Sequence, residues 1–74
     1  MEKGWVKIVT YTKSVEAEIV RQMLDENGIA AVVLNKQDSS YLFGKIEIYV
    51  NEQDEETAKG LINNNIDIEE KDAN

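Results

Sequence analysis

The chain has 74 residues, 42% of them hydrophobic, with fifteen acidic residues against eight basic ones and a formal charge of −7. That length allows one domain, burying roughly 60% of the surface its unfolded form exposes, so stability is expected to be modest and partner contacts to help it. Without cysteine or histidine there are no disulfides, no thiolate metal sites, no thiol nucleophile and no imidazole base.

Other features narrow the setting. Phosphate backbones are bound through clustered cations, and here only Arg21 and seven scattered lysines are present, so nucleic acid and anionic membrane are disfavoured partners. The first residues, Met1 to Trp5, lack the apolar core of a signal peptide. The longest apolar run, Ile29 to Leu34, is far too short to span a bilayer. A soluble, cytoplasmic protein is the expectation.

In chain order, Trp5-Val6-Lys7-Ile8-Val9-Thr10-Tyr11 is rich in β-branched and aromatic residues and predicts a strand. Ser14 is a suitable N-cap for a helix with Glu16 and Glu18 in its first turn. Ala17, Val20 and Leu24 form its apolar stripe, which Met23, Val15 and Ile19 widen. Asn27-Gly28 ends it, Gly28 supplying a left-handed residue and Ile29 the apolar contact that follows. Ala30 to Leu34 predicts a second strand, and Asn35 to Gly44 a loop carrying Tyr41, Leu42 and Phe43. A third strand alternates cleanly, Ile46, Ile48 and Val50 pointing one way and Lys45, Glu47 and Tyr49 the other. Asn51 then caps a second helix with the stripe Ala58, Leu61 and Ile62 and a Glu55–Lys59 pair. Gly60 within it is expected to mark close packing against the sheet. Ile66 and Ile68 alternate with charge as a short edge strand, and Glu69 to Asn74 is a solvated acidic tail.

The order β-α-β-β-α-β predicts an α+β, ferredoxin-like domain over residues 1–68, with a four-stranded antiparallel sheet and two helices on one face. Residues 69–74 lie beyond it as the tail.

Several of these residues also carry a resemblance. They are the aromatic strand and polar turn from Trp5 to Thr12, Ala17, Val20 and Leu24, and the Asn27-Gly28-Ile29-Ala30 helix exit into an apolar strand. Ile48-Tyr49-Val50, an acidic stretch, and Ala58 with Leu61-Ile62 complete the set. From Trp5 to Ile62 the chain resembles a family of small bacterial domains of unknown function described as putative prokaryotic signal-transducing proteins. The resemblance implies a ferredoxin-like fold and a signalling role. It brings no catalytic motif.

Few residues suggest chemistry. Glu47, Asp38 and Asp54 are carboxylates whose spacing does not raise them above surface charge, and no enzymatic activity is expected. The acidic run Glu52 to Glu56 lacks the alternating ligand pattern of a calcium loop and suits a helix N-terminus. Gly28, Gly44 and Gly60 do not precede a helix as a phosphate-cradling loop requires, so no cofactor or metal is assigned.

Period-two alternation sends Trp5, Lys7, Val9, Tyr11, Glu47 and Tyr49 to the sheet face opposite the helices. Aromatics on the first and third strands also serve RNA-recognition domains, but the basic-Gly-aromatic pattern is missing and the net charge opposes RNA. A protein partner or a second copy of the chain is the candidate occupant, and scattered aromatics on a monomer the bland alternative. Tyr41-Leu42-Phe43 is a second candidate, as a lid or docking site, a plug over the end of the core or an early start of the third strand. The functional expectation is a non-enzymatic binding or regulatory module. The alternative is a small-molecule sensor with a pocket at an oligomer interface.

Overall fold

A computed structural model describes residues 4–36 and 45–65. The elements run β1 (Trp5–Tyr11), α1 (Ser14–Glu26), β2 (Ala31–Asn35), β3 (Ile46–Asn51), a one-turn 3-10 helix (Glu52–Asp54) and α2 (Glu55–Asn65). The fold is α+β, with a three-stranded antiparallel sheet of order β1-β3-β2 and two helices. The predicted strand at Ile66–Ile68, the tail from Glu69 and the loop residues Asp38, Tyr41, Leu42 and Phe43 lie outside the described residues.

The most alternating segment of the sequence became the central strand. Ile46, Ile48 and Val50 of β3 are fully buried, and they meet Ala17, Val20 and Leu24 of α1 and Ala58 of α2 in one core. Both helices therefore cover the same side of the sheet. Burying side chains such as Leu24, Ile46 and Ile48 supplies about 1.5–3 kcal/mol each, the main stabilisation open to so short a chain. Val15 and Ile19 do not widen the stripe of α1. They are 62% and 44% exposed, on the side of the helix away from the sheet.

The end of α1 forms as its sequence predicts. Gly28 has φ +80, a conformation open to glycine without cost. Its N–H donates to the Asp25 carbonyl at 3.0 Å, and the Ile29 N–H to the Leu24 carbonyl at 2.9 Å. These two bonds are the Schellman pair, and buried Ile29 and Leu24 belong to the same core. The starts of both helices differ from expectation. Lys13 occupies the cap of α1, its carbonyl receiving the Glu16 and Ala17 N–H groups, and Ser14 is already helical. Asn51 stays in β3 and leads into the 3-10 turn, so α2 begins only at Glu55. The Glu55–Lys59 pair forms at 3.0 Å. Gly60 has open space where a Cβ would lie, so close packing does not account for it.

One irregularity decides the faces of the sheet. In β1, Lys7 pairs with Tyr49 and Val9 with Ile48, leaving Ile8 as the extra residue of a β-bulge. Before the bulge, Val6 lies opposite Val50 and points to the core. After it, Val9 and Tyr11 lie opposite Ile48 and Ile46 and take the core side too. Strict alternation had sent both to the open face. Tyr11 is instead 5% exposed within the core, and Val9 packs against it.

Candidate functional site

The face opposite the helices is built around β3. Trp5 pairs with Asn51 and Lys7 with Tyr49, which keeps Trp5, Lys7, Glu47 and Tyr49 together on this side. Four of the six residues assigned to the face by alternation are thus assembled there, and Val9 and Tyr11 are not. In their place the bulge brings Thr10, opposite Glu47. From the other edge, β2 contributes Val32 opposite Tyr49 and Leu34 opposite Glu47. Trp5, Val32, Leu34 and Tyr49 are each half-buried.

Sequence reasoning missed Val32 and Leu34 because β2 is apolar on both sides. Alternation alone therefore gave no way to choose its faces. Only the antiparallel register with β3, whose polar and apolar sets are distinct, fixes them. The bulge had one visible trace, the adjacent apolar pair Ile8-Val9 inside an alternating strand.

Glu47 is the centre of the face and its least expected member. It is buried, although it points away from the hydrophobic core, and its side chain is only 7% exposed. A carboxylate out of water needs compensation, and three neighbours supply it. The Tyr49 hydroxyl donates to Oε1 at 2.9 Å, and the Lys36 Nζ lies 3.3 Å from the same oxygen. The Lys7 Nζ donates to Oε2 at 3.4 Å. About half of each lysine side chain remains in solvent.

The electrostatics follow from these contacts. The Tyr49 hydrogen bond, with smaller help from Lys36 and Lys7, holds the Glu47 carboxyl below the usual range against the opposing effect of desolvation. Reciprocally, donating to Glu47 pushes the Tyr49 phenol above its ordinary value, with burial and the carboxylate charge acting in the same direction. Both oxygens of Glu47 are thus engaged, and its charged form is the favoured one.

Away from this face, an open depression of about 210 Å³ lies between β1 and α2, lined by Ile8, Val9, Lys59, Ile62 and Asn63. Its one charged group, Lys59, is engaged by Glu55. Among the described residues no three acidic side chains gather as a metal site would require. Nor is any described helix long and apolar enough to cross a membrane.

A family model described as putative prokaryotic signal transducing protein matches residues 5–66. The chain belongs to that family. The matched span takes in β1 through α2 and so includes every residue of the open face described above. No match was found among curated proteins or solved structures.

Proposed function

We propose that the chain is a non-enzymatic, cytoplasmic regulatory module that transmits signals by protein–protein contact through the open face of its sheet. The observation that carries this reading is the grouping of Trp5, Val32, Leu34 and Tyr49 around an internally neutralised carboxylate, with both helices on the other side. Contiguous half-buried apolar groups rimmed by polar ones are the usual composition of a protein contact. The family description points the same way. The occupied oxygens of Glu47 argue for a rigid platform over a reaction centre.

The small-molecule alternative finds less support. The depression beside α2 falls below the roughly 300–1,000 Å³ of ordinary ligand sites, and its cation is already paired. A thermal-shift panel of nucleotides and metabolites tests it, since a ligand of the folded state raises Tm by mass action. The four-stranded ferredoxin-like arrangement also belongs to this reading. Among the described strands β1 pairs with β3, and its other edge is where a strand from Ile66–Ile68 would add.

Photo-crosslinking in cells tests the contact face. A benzophenone side chain at Thr10, on the open face, should yield discrete adducts that Trp5→Lys removes. The same probe at exposed Thr57 of α2 should not. Adducts equal from both positions, or none from Thr10, would overturn the proposal.

A further inference from the structure

Among the described residues the net charge differs between the two sides of the sheet. Although the whole chain carries −7, the open face carries cations. Lys7 and Lys36 flank Glu47, and the Lys36 N–H donates to the Lys45 carbonyl at 2.8 Å, extending the β2–β3 ladder by one pair. Alternation from Leu34 and Glu47 places Lys36 and Lys45 on the same open side. Lys7, Lys36 and Lys45 against Glu47 leave this side two positive charges in excess, with Lys45 outside the Glu47 cluster. On the helix side, Glu16, Glu18, Asp25 and Glu26 of α1 and Glu52, Asp54, Glu55 and Glu56 of the 3-10 turn and α2 outnumber Lys13, Arg21 and Lys59.

This difference bears on self-association. Two open faces meeting across a two-fold axis would bring lysines against lysines, which disfavours a symmetric face-to-face dimer. The outer side of α1 is the complementary surface. Val15 and Ile19 sit one turn apart as exposed aliphatics, directly opposite the buried Ala17-Val20-Leu24 stripe. Glu16 and Glu26 share this side with them, and so does Glu18, which Arg21 bonds at 2.6 Å. It is an apolar strip with an acidic rim, where the open face is an apolar patch with a basic rim. At about 1.5 Å per residue, thirteen helical residues span about 20 Å, enough to lie across three strands spaced about 4.8 Å apart.

Resting on the reading that the open face is a contact surface, we infer that its occupant is the outer side of α1 from a second copy of this chain. Such a contact joins different patches on the two copies. It therefore builds either a head-to-tail chain, in which each added copy presents a fresh face, or a closed ring. Signalling would then be read as degree of assembly, set by concentration and ionic strength.

Two variants isolate one contact. Val15→Lys with Ile19→Lys spoils the helix surface and leaves the sheet face intact. Val32→Glu with Lys45→Glu spoils the sheet face while keeping Glu47, Tyr49, Lys7 and Lys36 themselves unchanged. Circular dichroism checks that both fold. By light scattering, wild type should exceed the mass of a dimer as concentration rises, and each variant alone should stay near 8.4 kDa. Mixed, they should form a one-to-one heterodimer that grows no further, weakening about tenfold or more as salt rises from about 0.05 to 0.5 M. Either of two results overturns the inference: a wild type that stays monomeric at several hundred micromolar, or a helix variant that assembles like wild type. If Thr10 crosslinks then yield a different protein, the contact-face reading survives and only the identity of its occupant falls. If Thr10 yields nothing, both fall.

Discussion

Glu47 is a charged residue that this fold buries on its nominally open side, and its neighbours decide what that costs. Lys7, Lys36 and Tyr49 between them occupy both carboxylate oxygens. Because the folded-state pKa is depressed, the group contributes stability above the ordinary carboxylate range and loses it as pH falls through the folded value. Glu47→Gln should therefore lower Tm at neutral pH, and its deficit against wild type should close as pH drops below about 4. A deficit that stays constant into acid would mean that the charge is not what matters. Tyr49→Phe tests the leading cause directly. Without the hydroxyl, the Glu47 carboxyl should titrate closer to its ordinary value, read from its side-chain carbon shift by NMR. An unchanged titration would move the credit to the lysines.

At the scale of elements, β1 carries the most informative departure from sequence logic. Its outer residues keep a single alternating pattern once Ile8 is set aside: Val6 in, Lys7 out, Val9 in, Thr10 out, Tyr11 in. Ile8 is in effect an insertion. Deleting it should straighten the strand and leave the pairings on both sides of the bulge in place, with Tyr11 still buried. The lost packing of Ile8 against the core should lower stability by about 1–3 kcal/mol. Tyr11 becoming exposed in that variant would show that the bulge itself sets the register. Counting through the insertion is what misassigned Val9 and Tyr11, whereas β3, with no irregularity, was legible residue by residue. The exit of α1 was equally legible, since Asn27-Gly28-Ile29 encodes its hydrogen bonds locally. Gly60 was not, because a glycine in a helix is equally compatible with a tight contact and with open space. Gly60→Ala meets nothing within 4 Å, so it should stabilise α2 by about 0.5–1 kcal/mol, raising Tm by several degrees. A lower Tm would restore the close-packing explanation.

For the whole molecule, order of elements was readable because each carries its own period and punctuation, while the assembly of faces depended on register, a relation between distant segments. The same distinction bears on the β1 edge of the sheet. With order β1-β3-β2, β1 is an edge strand in the described sheet, and an uncovered edge is a template for further pairing. If Ile66–Ile68 fills it, the strand covers the β1 edge and leaves the open face unobstructed for contacts through side chains. Ending the chain at Asn65 tests this. The cut removes four acids (Asp67, Glu69, Glu70, Asp72) and Lys71, bringing the formal charge from −7 to −4, which by itself lessens self-repulsion. A stabilised or unchanged protein would thus follow from charge alone. Loss of a paired strand predicts the reverse, a Tm lower by several degrees together with faster hydrogen exchange at those β1 amides that point away from β3. Exchange is the deciding measurement, since it reports the edge itself. Protection at those amides that is equal in the two lengths of chain would leave β1 a true edge and make strand addition, alongside the open face, a second route by which partners pair with this domain.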